Sequence, residues 1–364
     1  MRYSEFGCYT LPGHTSEPRA AIGEIRDAER LGLGSVWISE RFAAKNADVL
    51  SGAAAMLAPS MGIASGLIQN MPLRHPIVTA GYAATMAKLT GDRFALGVGR
   101  GTDAFADVTG TARLTFKLME DYIGILRRLW RGESVNYSGP VGTIRGLKLG
   151  VELPVMPPVI IAAMGDKTLE WAGRFCDGVV LNSLWTPQAV ERSARLVRRG
   201  AETAGRDPAS VRIWTILVTA CDVPEDSMLR YVVRRMNTYL LFPKMFDGIC
   251  DANGWDRREA VRLRAELAKL DSPAGAGTMG DEATTRDLNA LRHMAAAYPP
   301  AWLTEGNAIG SSSAGARAAL ERLQAGADGI LFHGCQPGEL AGVLQHWAEM
   351  RPAGLRNRPV NPGL

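Results

Sequence analysis

Cysteine and histidine are scarce. The 364 residues include five of each, and Cys8, Cys176, Cys221, Cys250 and Cys335 lie far apart with no C-x-x-C pair. That pattern excludes a disulfide framework and a zinc knuckle. The H-x-H and H-E-x-x-H spacings of zinc hydrolases are missing as well. Neither sign of charge dominates: 41 Lys and Arg against 37 Asp and Glu leave +4, too little for the basic stripe of a nucleic-acid binder. No run reaches the roughly 20 apolar residues of a membrane span, because Gly52 to Ile68 is broken by Pro59, Ser60, Gly62, Ser65 and Gly66. The opening MRYSEFGCYTLPGH lacks a secretory apolar stretch. These absences predict a reduced, cytoplasmic protein that acts on small molecules, with neither nucleic acid nor membrane as partner.

What is present is an ordinary globular mixture, 46% apolar and 21% charged, with 40 Gly and 20 Pro to make turns. Eight apolar runs read as strands: Phe6–Leu11, Ser35–Ser39, Met61–Ile68, Arg93–Val98, Val159–Ala163, Gly178–Asn182, Arg212–Thr219 and Gly329–His333. Most are continuous rather than alternating, as strands buried on both faces should be. Amphipathic helical stretches separate them, with Ser16 and Pro18 opening the first and Thr186 and Pro187 the sixth. RLGLGSVWISE, GRFCDGVVLNS and LQAGADGILFHG echo one another as helix, glycine turn and strand. Eight such units suit a closed (β/α)8 barrel, a TIM barrel, better than an open doubly wound sheet of five or six strands. One domain then spans 1–364. SVNYSGPVGTIRGLKLG reads as a small hairpin outside the barrel. The stretch 222–310 reads as a helical insertion between strands seven and eight, either a subdomain with its own core or a lid.

In such a barrel the chemistry collects at the carboxyl ends of the strands. The residues found there are His14, Glu40, Arg41, Gln69, Asn70, Arg74, His75, Arg100 to Asp103, Met164 to Thr168, Asn182 and His333. No nominated strand ends in a Schiff-base lysine. A ring of donors without a nucleophile is what a bound cofactor leaves for the protein to supply. GVGRG follows a strand, but with no helix expected next it suits close approach of a planar ring or backbone better than a dinucleotide fold. AAMGDKTLEWAG runs a strand straight into a helix, whose first-turn amides beside Lys167 and Thr168 suit a phosphate.

The run GIASGLIQNMPLRHPIVTAGYAATMAKLTGDRFALGVGRG (62–101), with AGRFCDGVVLNS, resembles the luciferase-like flavin and deazaflavin oxidoreductases. AGARAALERLQAGADGILFHG resembles that family's last helix and strand, whereas 222–310 has no counterpart. The resemblance implies a dimeric (β/α)8 barrel holding coenzyme F420, a 5-deazaflavin, or FMN at its carboxyl end. It also implies a strand-three bulge with a non-prolyl cis peptide, here at Gly66–Leu67. By comparison with deazaflavin-dependent sugar-phosphate dehydrogenases, Glu40 falls where an acidic residue helps hold the ring system, Gln69 where a side chain follows the bulge, and Arg100 and Gly101 match the residues that border the ring. Met164, Gly165, Lys167 and Thr168 match the phosphate loop, and Asn182 matches a further contact. Arg41, Thr102 and Trp185 replace that group's catalytic histidine, glutamate and phosphate-reading lysine, which argues against sugar-phosphate activity.

The expectation is therefore an F420-dependent oxidoreductase moving hydride between ring carbon five and a small organic substrate. Asp103 is the first candidate for proton exchange and His14 the second, with Arg41 either anchoring an anionic substrate or stabilising developing negative charge. Arg74, Arg100 and Lys167 suggest a basic groove for the anionic tail. The alternatives are an FMN-dependent monooxygenase and a catalytically silent flavin-binding barrel.

Overall fold

Eight parallel strands close on themselves in the computed structural model, which describes residues 2–12, 17–42, 45–68, 71–101, 103–270 and 287–364. The strands in chain order are β1 (Tyr3–Tyr9), β2 (Leu33–Ile38), β3 (Gly62–Ser65), β4 (Phe94–Val98), β5 (Val135–Gly139), β6 (Gly142–Leu147), β7 (Val159–Ala163), β8 (Gly178–Leu181), β9 (Arg212–Cys221), β10 (Ala308–Gly310) and β11 (Gly329–His333). Around the ring the order is β9, β11, β1, β2, β3, β4, β7, β8, and β8 pairs with β9 to close it. With helices between the strands this is the expected (β/α)8 barrel. All eight nominated strands are present, Val159–Ala163 and Gly329–His333 with the ends expected and the other six with shifted ends. β3 is the most shortened: it stops at Ser65, and the chain rejoins the sheet at Ile68, which bridges to Val98.

The lumen is filled rather than open. Trp37 and Trp214 meet edge to face at 5.3 Å, with Tyr9, Ala64, Ala95, Ile160 and Leu331 around them. The amino ends of the strands are sealed by the last residues of the chain. Buried Arg212 donates to the carbonyls of Ser4, Pro359 and Asn361 at 2.8, 3.0 and 2.9 Å, and Trp214 Nε1 donates to Pro362 O at 2.7 Å. That end reads as stability, leaving the carboxyl end for chemistry.

Outside the barrel, each helix buries one stripe. In the Phe116–Trp130 helix Leu118, Tyr122, Ile125, Leu126 and Leu129 face inward, and Thr115 caps the start by accepting from Leu118 N–H. Thr186 caps Pro187–Thr203 in the same way, with proline in the first turn as expected. That helix's arginines are not all solvated: Arg192 pairs with Asp166 and Arg198 with half-buried Asp328. The first helix, Ala20–Arg30, starts with no side-chain cap, and Ser16 lies outside the described residues. β5 and β6 form the expected hairpin, held to the Phe116–Trp130 helix by Tyr137 Oη donating to Asp121 at 2.8 Å. Among the described residues no helix is long and apolar enough to cross a membrane.

The described parts of the stretch between β9 and β11 are mainly helical. The stretch leaves at Asp222 and returns at β10, which pairs with β9, and Asp222 N–H donates to Gly310 O at 2.7 Å. Its helices include Leu229–Leu240, whose first turn is a π-turn, then Pro243–Asn253, Arg257–Leu270, Leu288–Ala297 and Pro300–Glu305. Trp255 and Trp302 stack at 4.6 Å beside buried Phe246. Asn253 ties this layer to the barrel, donating to Leu184 O at 2.8 Å and accepting from Thr186 N–H at 3.0 Å.

Candidate active site

Neighbouring parallel strands lie about 4.8 Å apart, so the order of pairing dictates which strand ends meet. Along one arc of the carboxyl rim come His333 at the end of β11, Tyr9 at the end of β1, Glu40 and Arg41 after β2, Gly66 and Leu67 after β3, Arg100 and Gly101 after β4, Met164 to Thr168 after β7, and Asn182 after β8. The expected site residues that are described therefore share one contiguous rim. His14, Gln69 and Thr102 lie outside the described residues.

Between β2 and β3 the rim is rigid. Glu40 N–H donates to Leu67 O at 3.1 Å, and its fully buried carboxylate pairs with Arg74. Arg74 also binds both oxygens of Asp48, at 2.9 and 2.7 Å. Burial pulls the Arg74 guanidinium down, but Asp48 and Glu40 outweigh it and hold it above its ordinary value. This corrects the expectation that Arg74 serves an anionic tail, since its donors are already committed to two carboxylates. The Gly66–Leu67 peptide is cis, at the place expected. Neither Gly66 nor Gly97 has room for a side chain: a Cβ on Gly66 would sit 2.9 Å from both Trp37 and Tyr9, and one on Gly97 would strike the Ser65 carbonyl. The glycines of GVGRG thus permit a close backbone approach, sealed by Ser65 Oγ, which accepts from Gly97 N–H at 2.8 Å.

Beyond β4 the rim turns outward. Gly101 adopts φ +70°, and Arg100 and Asp103 are exposed and 3.9 Å apart. A seven-residue helix begins at Asp103, contrary to the expectation that none follows the glycines. Phe105 from that helix stacks on Phe42 at 5.9 Å, joining the loops after β2 and β4.

After β7, Gly165 is the N-cap of the Asp166–Phe175 helix and has no side chain to cap it. Thr168 and Leu169 amides turn back onto Gly165 O, so the first-turn amides before them are left for an outside acceptor. The space around Gly165 is open and Lys167 is exposed. Arg192 holds Asp166 at 2.6 Å, which moderates the one negative charge at this helix start. The donor set fits a phosphate, and the small-residue rim from Gly66 to Gly101 fits a flat ring.

Other groups at the mouth went unnamed as site residues in the sequence reading. Tyr239 Oη accepts from Ser183 Oγ and from Arg235, each at 2.9 Å, and donates to Asn182 Oδ1 at 3.1 Å. Asn182 Nδ2 reaches Met164 Sδ at 3.7 Å, so the insertion is bonded through Asn182 to the expected phosphate loop. Tyr9 meets the His333 ring edge to face at 5.0 Å. Burial pushes the Tyr9 phenol up, and Arg235 and Arg41 oppose that shift. The insertion was visible as aromatic and helical, but nothing in its spacing told which turn crosses the barrel. Burial raises the Cys176 and Cys250 thiols to about 12, so neither offers a thiolate. Among the described residues no three of His, Cys, Asp and Glu are grouped to hold a metal.

Comparison with known proteins adds an independent line. The sequence profile of a family described as luciferase-like monooxygenase matches residues 4–298. A 5,10-methylenetetrahydromethanopterin reductase from Methanolobus tindarius is 27% identical over 279 residues, 75% of this chain and 82% of that protein. An F420-dependent hydroxymycolic acid dehydrogenase from Mycobacterium tuberculosis is 34% identical over 146 residues, 38% of this chain and 39% of that protein. Among solved structures, the coenzyme F420-dependent tetrahydromethanopterin reductase from Methanopyrus kandleri superposes with a TM-score of 0.76 at 17% identity, covering 96% of this chain and 99% of that one. That last likeness bears on the fold alone.

Proposed function

The chain belongs to the luciferase-like monooxygenase family, and on that premise we propose that it is a coenzyme F420-dependent oxidoreductase acting on a small organic substrate. The observation that carries this reading is the continuous rim in which a glycine-lined strand exit lies beside an uncapped helix start. The names of the similar reductase and dehydrogenase support it. When bound, the deazaflavin supplies or accepts a hydride at ring carbon five; the protein's part is positioning.

Lys167, Thr168 and the amides at Gly165 hold the phosphate. Gly66 and Leu67 back the ring, Arg100 and Gly101 border it, and Met164 and Asn182 line the path between. Glu40 acts through its place in the rim, because its carboxylate is engaged by Arg74. Arg41 orients the substrate. Asp103 exchanges protons from the rim, with His14 the second candidate. The insertion serves as a fixed wall of the substrate pocket. The setting is the cytoplasm, in keeping with five free, buried cysteines.

The working unit is a homodimer. Two adjacent helices, Ala47–Leu57 and Pro76–Thr90, carry only Asp48 and Lys88 as charged residues. They expose Val49, Met56, Val78 and Leu89 on the outside, and a second copy of the same apolar face is the partner that buries them.

Visible-absorbance titration of the purified protein with F420 and with FMN tests the assignment. Tighter binding of F420 is expected, and binding of neither refutes it. FMN is the second reading because the family also contains monooxygenases. Rapid oxygen consumption with reduced FMN would favour it.

A further inference from the structure

Tyr239 stands at the end of the Leu229–Leu240 helix, where the insertion meets the exit of β8. A phenol hydroxyl has one hydrogen to give and two lone pairs to receive with. Both lone pairs are taken, by Ser183 Oγ and by an Arg235 guanidinium nitrogen that can only donate, each at 2.9 Å. The single hydrogen is left for Asn182 Oδ1 at 3.1 Å. That bond decides which way the Asn182 amide faces. Its oxygen is held by Tyr239, and its NH2 is turned toward the loop after β7, where the only acceptor among the described residues is the Met164 thioether at 3.7 Å, a weak one. Asn182 is half-buried, whereas Ser183 and Tyr239 behind it are buried. The insertion touches the thioether as well: a Cβ on Gly248, in the Pro243–Asn253 helix, would lie 3.2 Å from Met164 Cε and 3.8 Å from its sulfur. Both sides of the loop exit are therefore set by the segment that has no counterpart in the resemblance.

We propose that Tyr239 is a positioning residue that locks Asn182 as a hydrogen-bond donor, so that Asn182 and the amides at Gly165 share one phosphate oxyanion. An unlocked amide presents its oxygen as readily as its nitrogen, and that oxygen repels an anion. The charge on Arg235 polarises the chain of bonds in the same direction. The insertion thus governs affinity for the cofactor from behind the site, without touching it. This assignment rests on the reading of the loop after β7 as a phosphate site, but its test is binding and does not require turnover.

F420 titrations followed by visible absorbance compare wild type, Tyr239→Phe, Asn182→Ala, the double variant and Asn182→Asp. Tyr239→Phe weakens binding roughly fivefold and Asn182→Ala roughly tenfold, as the loss of one hydrogen bond does. The double variant matches Asn182→Ala within about twofold, because Tyr239 acts only through that amide, whereas a merely structural role would multiply the two losses. Asn182→Asp keeps the bond from Tyr239 but meets the anion with a second acceptor, and it binds more weakly than Asn182→Ala. Fully multiplied losses overturn the proposal, and so does an Asn182→Asp protein that binds as wild type does. Should wild type bind no F420, inorganic phosphate is the probe, read by the side-chain amide signals of Asn182 in NMR. Phosphate that shifts those signals, and shifts them less in Tyr239→Phe, leaves the donor role standing while the cofactor reading fails. Wild type that binds neither overturns both.

Discussion

The Glu40–Arg74–Asp48 cluster shows what a single residue can hold in place. Arg74 reaches from the turn after β3 to one carboxylate after β2 and another on the next helix, and Glu40 is fully buried. Replacing Arg74 with Met leaves that carboxylate without its counter-charge, a change that typically costs about 3–5 kcal/mol. Urea unfolding should show a loss of that size, whereas Arg74→Lys should recover part of it. The acid after strand two and the arginine after strand three were both legible in the sequence. Their pairing was not, because 34 residues separate them and only the neighbouring of β2 and β3 closes the gap. Lys167 is the opposite case. The side chain is exposed, so Lys167→Ala should leave the unfolding midpoint unchanged while weakening F420 binding by roughly tenfold or more, as loss of a charge-assisted phosphate contact does.

Whole elements were the most readable part of the molecule. Strands buried on both faces need unbroken apolar runs, and Val159–Ala163 and Gly329–His333 appear with the ends expected. Where a strand end departs from regular pairing the pattern fails: Met61–Ile68 is apolar throughout, yet only Gly62–Ser65 is strand, because the chain breaks register at Gly66. The insertion was legible as helices but not as a wall, since its placement depends on Asn253, Tyr239 and Asp222 finding partners far away in sequence. Asp222 fastens its base by accepting from the Ser312 side chain and amide, which hold its carboxyl below the usual range. Because the folded value is depressed, the clamp is complete above the ordinary carboxylate value of about 4 and is lost as pH falls below it, through the lower folded value. Asp222→Asn should therefore increase protease cleavage within 222–310 at pH 7, and the difference from wild type should shrink at pH 3.

At the scale of the whole molecule the two ends of the barrel do different work. The amino end is closed by the chain's last residues, and burial lowers the Arg212 guanidinium to about 10 even with carbonyls around it. Deleting residues 359–364 removes most of those acceptors and should destabilise the fold by about 3–5 kcal/mol, read by chemical denaturation. This seal was not foreseen, because NPGL carries no periodic signal. The outer face of the helices after β2 and β3 should mediate dimerisation, so Val49→Asp with Met56→Asp should turn a dimer into a monomer in analytical ultracentrifugation. The carboxyl end carries the central claim, and a crystal structure of the protein with F420 tests it most directly. The account predicts the deazaflavin ring lying over Leu67 and bordered by Gly101, with its phosphate on the amides of Gly165 to Lys167; a ring bound elsewhere, or a phosphate held at another helix start, would contradict it.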